Sequence, residues 1–269
     1  AFRPGGEIDM MGFENLTLAS DATLLMAAAD LADFSGTVTA PGTEQITVSG
    51  DGDISTFNSA AVETYVVNDD TSNTRTITLG SNDTGTDISA TSTSDTVTFS
   101  VPGITYTGTL EGQTTNGDIL LLADSANVSG GTLTDIGSLS LASGASVTLS
   151  AAQYNALNNA TIVAAGTGVG GEEITISGTG DLTINSTTVE TYTIEDDSSD
   201  SRTITVGSDN SNTFTASSVS DAISLNVGAT TFSGSFTANT DVANTLVVDG
   251  TADIASATFT KPATFAPFT

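Results

Sequence analysis

Along most of this chain, apolar and hydroxyl-bearing residues alternate one by one. Leu139 and Leu141 flank Ser140, Val147 and Leu149 flank Thr148, and Ile174 and Ile176 flank Thr175. Tyr192 and Ile194 alternate with Thr191 and Thr193, and Ile204, Val206, Ile223, Leu225 and Val227 extend the pattern. A period of two sends successive side chains to opposite faces, so each run predicts a strand with one apolar and one polar face. Gly, Asn, Asp and Ser fill the intervals about every ten residues, the turn chemistry and spacing of an all-β fold. Only 150–157 (S-A-A-Q-Y-N-A-L) and its counterpart 27–34 read as short helical turns, with Ser150 placed to cap the first.

The runs belong to a larger repeat. Val62-Glu63-Thr64-Tyr65 recurs as Val189-Glu190-Thr191-Tyr192, Arg75-Thr76-Ile77-Thr78 as Arg202-Thr203-Ile204-Thr205, and Gly80-Ser81 as Gly207-Ser208. Upstream, Leu16-Thr17-Leu18-Ala19-Ser20 matches Leu139-Ser140-Leu141-Ala142-Ser143; downstream, Leu120-Leu121-Leu122 matches Leu246-Val247-Val248. Duplication on this scale implies two tandem homologous β-rich modules, 12–133 and 134–260, preceded by an arm (1–11) and followed by a tail (261–269). The acidic segment Asp196–Asp200 lies between two alternating runs and reads as a hairpin tip, which favours modules of β-sandwich type. A β-solenoid is the rival, since short strands joined by Gly turns also describe its rungs.

Charge narrows the function classes. The chain carries 32 acidic and 4 basic residues, a net −28. It is repelled by phosphate backbones and anionic lipid, so neither nucleic acid nor membrane insertion is expected, and it attracts cations. No run approaches the roughly 20 apolar residues that span a bilayer. There is no Cys and no His, which removes thiolate chemistry, the usual neutral-pH general base and the commonest transition-metal ligand. No Ser sits in a G-x-S-x-G elbow, the one Lys is Lys261, and there is no Trp to form a sugar-stacking platform. The chain reads as non-catalytic.

Two acidic clusters are candidate calcium ligands. Asp69 and Asp70 in the first module match Asp196 and Asp197 in the second, where Asp200 follows. Gly50-Asp51-Gly52-Asp53 matches Gly178-Thr179-Gly180-Asp181. Clustered carboxylates with backbone carbonyls suit a hard, oxygen-seeking Ca²⁺, although neither cluster has the spacing of an EF-hand or of iterated Gly/Asp nonapeptides. The competing reading is a solvated turn, with Arg75 and Arg202 pairing to the acids just before them. Thr-x-Thr pairs (Thr76/Thr78, Thr203/Thr205, Thr213/Thr215) offer flat strand faces for ice, mineral or glycan, or plain solvent-facing strands. At the ends, Phe2, Ile8, Met10, Met11 and Phe13, with Phe265 and Phe268 in the Pro-bearing tail, are candidate subunit contacts.

The stretch L-S-L-A-S-G-A-S-V-T-L-S-A-A-Q-Y-N-A-L at 139–157, followed by E-E-I-T-I-S-G-T-G-D-L, resembles the Thr/Ser/Asp-rich β-repeat regions of large secreted bacterial surface proteins, the adhesins and surface-layer-like proteins. The resemblance covers about 40 residues of each module and is one of composition. It implies an extracellular, cell-surface location, tandem β-modules and often calcium. It carries no functional residues across. The expectation is a secreted structural protein that forms a homo-oligomer or polymer as a surface layer or filament, with an adhesin or glycan-binding module as the alternative.

Overall fold

The computed structural model describes residues 12–260 apart from 32, 35, 57–59, 69–73, 92–94, 114–116, 158–160, 166–170, 196–200, 208–209, 217–220 and 239–242. The chain divides into two compact units, Ala1–Ser138 and Leu139–Thr269. Each is built from parallel strands in two ladders.

In the first unit one ladder runs Thr23–Ala27, Gln45–Ser49, Thr64–Val67, Asp87–Ala90, Thr109–Glu111 and Thr132–Thr134. The other runs Ile54–Ser55, Thr74–Thr78, Thr96–Val101 and Ile119–Leu122. The second unit repeats the plan. Its first ladder is Ser146–Ser150, Glu173–Ser177, Thr191–Ile194, Thr213–Ala216, Ser235–Thr237 and Thr258–Thr260. Its second is Leu182–Ile184, Ser201–Val206, Ala222–Val227 and Thr245–Val248.

Successive strands of the chain fall in alternate ladders, and each pairs with the strand one turn later. Leu182 pairs with Ile204 and Thr191 with Thr213, in both cases 22 positions on. This is a β-solenoid, with about nine turns among the described residues. The all-β class therefore holds, and of the two architectures weighed from sequence the solenoid is the one formed. The hairpin reading of Asp196–Asp200 is corrected. Thr191–Ile194 pairs with Glu173–Ser177 and Thr213–Ala216, whereas Ser201–Val206 pairs with Leu182–Ile184 and Ala222–Val227. The strands on either side of it therefore belong to different ladders and do not pair with each other.

The period-two pattern explains the interior. In-register stacking places Ile46, Tyr65, Ile88 and Leu110 one above another inside the first unit, all buried. The second unit stacks aromatic rings: Tyr192 on Phe214 at 5.4 Å, Phe214 on Phe232 at 5.8 Å, and Tyr154 edge-on to Tyr192 at 6.0 Å. Parallel strands lie about 4.8 Å apart, so identical positions on neighbouring turns touch, and each buried Leu, Ile or Phe contributes about 1.5–3 kcal/mol.

The two short helices form where expected, as Ala28–Leu31 and Ala151–Leu157. Ser150 caps the second: its Oγ accepts the Gln153 N–H at 3.2 Å, and Gln153 Oε1 accepts the Ser150 N–H at 2.7 Å. S-A-A-Q is thus a reciprocal capping box.

Candidate functional site

The Gly50–Asp53 and Gly178–Asp181 turns each wrap a buried arginine. Arg75 lies on the strand Thr74–Thr78 at the same parity as Ile77, so it points inward and is 1% exposed. Its Nε donates to the Gly52 carbonyl at 3.0 Å, Nη1 to the Asn68 carbonyl at 2.7 Å, and Nη2 to the Gly50 carbonyl. Arg202, also 1% exposed, reaches the equivalent Gly178 carbonyl with Nη2 and the Glu195 carbonyl with Nη1 at 3.5 Å.

The turn geometry depends on glycine. Gly50 and Gly52 have φ of 81° and 111°, and Gly178 and Gly180 have 74° and 123°, a region that residues with a Cβ seldom adopt. Turned this way, the loop carbonyls face the guanidinium. The inward cation that these oxygens meet is supplied by the chain itself. The acids expected to pair with Arg75 and Arg202 lie outside the described residues; the described partners of the two guanidinium groups are these carbonyls.

Each described calcium candidate has a place in the same corner. Asp51 is exposed. Asp53 Oδ1 accepts the Thr76 N–H at 2.8 Å, and Asp181 Oδ1 accepts the Thr203 N–H at 2.7 Å. Asp69, Asp70, Asp196, Asp197 and Asp200 lie outside the described residues. Among the described residues no group of three or more Asp, Glu, His or Cys is gathered as a metal site.

Asp53 and Asp181 exemplify a device that recurs through both units. Asn15 accepts the Thr37 N–H at 2.7 Å, Asp87 that of Thr109 at 2.7 Å, Asp118 that of Val97 at 2.7 Å, and Asn244 that of Ile223 at 3.0 Å. In each case the acceptor side chain sits at or just before the start of a strand and clips the main chain of the adjacent turn. Glu44 and Glu172, both buried, cap loops: Glu44 accepts the N–H of Gly42 in the loop before its own strand at 2.7 Å, and Glu172 accepts that of Gly144, in the loop before Ser146–Ser150, at 3.1 Å. Asp118 makes a second such bond, from the Gln113 N–H at 2.5 Å. Burial nevertheless pushes its carboxyl above the ordinary Asp value; the two N–H donors only partly oppose that, and Asp135 and Asp95 add to the rise.

The outer faces carry the hydroxyls. On the second unit one rank of the first ladder is continuous threonine: Thr148, Thr175, Thr193, Thr215, Thr237 and Thr260 are partners in register. Of the Thr213/Thr215 pair singled out in the sequence, Thr215 belongs to this rank, whereas Thr213 stands in the neighbouring rank between Thr191 and Ser235. Thr203/Thr205 and Thr76/Thr78 sit on the other ladders beside Ser224/Asn226 and Thr98/Ser100, where no such rank continues. A cavity of about 310 Å³ beside Thr187, Asn210, Ser211, Thr231 and Ser233 is likewise lined by hydroxyls and an amide, with no titratable side chain.

The last turn of the second unit is different again. Leu246 and Val248 are 42% and 48% exposed, Val247 is exposed beside them, and Phe259 is 42% exposed. Leu246 and Phe259 stand in register with the buried Leu225 and Phe236, so the core stack is open at this end. Of the subunit contacts expected from sequence, Phe13 is 60% exposed. Phe2, Ile8, Met10, Met11, Phe265 and Phe268 lie outside the described residues. No helix among the described residues is long and apolar enough to cross a membrane, which says nothing of strands.

These features define a duplicated, arginine-cornered parallel β-solenoid whose last described turn exposes apolar side chains. In comparisons with known proteins, no family model, no curated protein and no solved structure matches the chain.

Proposed function

We propose that the chain is a non-catalytic structural subunit of a cell surface, secreted and self-assembling into a surface layer or filament. The observation that carries this reading is the last described turn, where Leu246, Val247, Val248 and Phe259 present apolar surface on strands that have no partner beyond them among the described residues. Uncovered edges and apolar ends are liabilities that a repeat protein ordinarily caps, unless they are used. The resemblance to secreted surface repeats supports an extracellular setting. Calcium or another divalent cation would act by screening or bridging acidic faces between subunits, with Asp69, Asp70, Asp196, Asp197 and Asp200 as the proposed contacts. Sedimentation velocity and negative-stain microscopy, with calcium and with a chelator, test the reading. Sheets or fibres are expected; a monomer at every concentration and ion condition would sink it.

The threonine rank favours a second reading. Six in-register hydroxyl and methyl groups, about 4.8 Å apart from strand to strand, make a flat regular face suited to ordered water or a glycan. An adhesin or ice-binding module would use it. Binding to ice or to glycans that Thr215→Tyr abolishes, in a protein that stays monomeric, would favour this reading over assembly.

A further inference from the structure

We infer that a recess at one corner of the second unit is a binding site for a neutral sugar. Successive turns of that unit contribute Thr187, then Asn210 and Ser211, then Thr231 and Ser233, around a volume of about 310 Å³. That is the lower end of the range for small-molecule sites, about 300–1,000 Å³, and gives room for about one or two sugar units.

Hydrogen bonds fix the lining. Asn210 donates its main-chain N–H to the Thr231 carbonyl at 2.9 Å and accepts that of Ser233 at 2.9 Å. Phe232 between them is buried, so Thr231 and Ser233, both exposed, point outward together. On the preceding turn, one carbonyl, that of Ser186, accepts from Nδ2 of Asn210 at 3.3 Å and from Nδ2 of Asn212 at 3.0 Å. Asn210 Oδ1 also accepts the Asn212 N–H at 2.8 Å. The Asn210 amide, 4% exposed, is thereby held in one orientation. One Nδ2 hydrogen and one Oδ1 lone pair remain, a donor and an acceptor side by side.

The first unit has the same corner without the amides. There Thr107 donates its N–H to the Thr84 carbonyl as Ser233 does to that of Asn210, so Thr84-Gly85-Thr86 stands where the second unit has Asn210-Ser211-Asn212. The Thr107 hydroxyl turns back onto the Thr84 carbonyl at 3.1 Å. The hydroxyls of Thr187, Ser211 and Ser233 are exposed and make no such bond among the described residues.

The chemistry of the lining selects the ligand. In a chain of net −28, none of these five side chains is charged. Without Lys or Arg, an anion would meet only the repulsion of the acids elsewhere on the surface. Without a carboxylate, a hard metal cation lacks its preferred ligand. An apolar molecule would strand the hydroxyls and the amide. A neutral molecule that donates and accepts hydrogen bonds over its whole surface fits all three restrictions, and a sugar is such a molecule. Binding here requires no contact between copies, and the recess shares no residue with the threonine rank.

The test uses the full chain and saturation-transfer NMR with glucose, galactose, mannose and N-acetylglucosamine at millimolar concentration, and N-acetylneuraminic acid as the anionic comparison. At least one neutral sugar should bind and the anionic sugar should not. Ser211→Tyr, at an exposed position, fills the recess and should abolish binding while circular dichroism and melting temperature stay as in the wild type. Should that variant fail to fold, Thr187→Tyr, also exposed, takes its place with the same expected loss. Ser233→Ala removes one hydroxyl and should weaken binding about 2- to 10-fold. Thr215→Tyr, on the threonine rank, should leave it unaltered. Binding of none of the neutral sugars, binding that survives the filled recess, or equal binding of the anionic sugar would overturn the assignment and leave self-assembly standing. Loss through Thr215→Tyr with Ser211→Tyr still active would place the sugar on the rank and overturn it too.

Discussion

Asp, Asn and Arg side chains in this molecule serve the main chain before they serve anything else. A carboxylate that accepts a close N–H makes a charge-assisted bond, worth about 1.5–3 kcal/mol, and Asp53, Asp87, Asp118 and Asp181 all do so between turns, at 2.7 or 2.8 Å. The arginine corners are the mirror case, a buried donor filling a cup of carbonyls. Arg202→Ala strands oxygens that water cannot reach. It should lower unfolding free energy by about 3 kcal/mol in urea melts. Lysine at 202 should not restore it, because an ammonium cannot reproduce the fork that reaches the Gly178 and Glu195 carbonyls together. Asp118 yields a prediction with a defined sign. Its native carboxyl holds a proton more tightly than the unfolded one, chiefly through burial. Its contribution is therefore fully present below the ordinary Asp value near 4 and is lost as pH rises through the higher native value. Asn244 holds the equivalent place in the second unit and accepts the Ile223 N–H at 3.0 Å. Asp118→Asn should remove this slope: the stability of wild type minus variant falls between pH 3 and 7 in matched urea melts, and a constant difference would refute the assignment. Part of this was readable from sequence. In R-T-I-T the alternation that buries Ile77 and Ile204 also buries Arg75 and Arg202. The clips were not readable, since an Asp before a strand looks the same whether it meets water, calcium or a neighbouring N–H.

Strand positions and parity were legible almost throughout, because one buried residue in two leaves its mark in any half-buried strand. Pairing was not. Alternation is identical for antiparallel hairpins and for solenoid rungs, and only the partner one turn away distinguishes them. That turn of about 22 residues is faint in the sequence, since a rung needs apolar residues at given parity rather than particular ones. Ile46 stacks under Tyr65 and Tyr65 under Ile88 with no shared identity. The duplication is loud by comparison, because it copies particular residues, among them Arg75 and Arg202 and the glycines Gly50, Gly52, Gly178 and Gly180 of their corners. The helix Ala151–Leu157 shows local chemistry succeeding at this scale. Its capping box was partly visible as Ser150 ahead of an apolar turn, and Tyr154 carries it onto the Tyr192 ring at 6.0 Å. Ser150→Ala removes the acceptor for the Gln153 N–H and should cost about 1 kcal/mol. For a protein of this size that is a fall of about 2–4 °C in calorimetry; no change would show that packing alone holds the turn.

A solenoid is nearly one-dimensional, so each turn is stabilised by the turns on either side and the end turns have one neighbour fewer. Net charge works against this stacking. In-register parallel strands bring like positions together, and with 32 acidic and 4 basic residues the outer faces of successive turns repel along the whole stack. The buried arginines do little to relieve that, as they face the interior. Repulsion between exposed carboxylates reaches about 30 Å at 0.01 M salt and about 10 Å at 0.1 M, a span of six turns shrinking to two. Added salt should therefore stabilise each folded unit as well as any contact between copies, and the two effects separate by dilution. The urea midpoint of Leu246→Asp, which places a charge on the exposed last described turn, should still rise between about 0.01 and about 0.5 M NaCl and be independent of protein concentration. Protonation mimics salt here, so the rise should shrink as pH is lowered towards 4, where the exposed acids begin to lose their charge. A midpoint flat in salt at pH 7 would mean that the acids are already neutralised within the fold by bound cations.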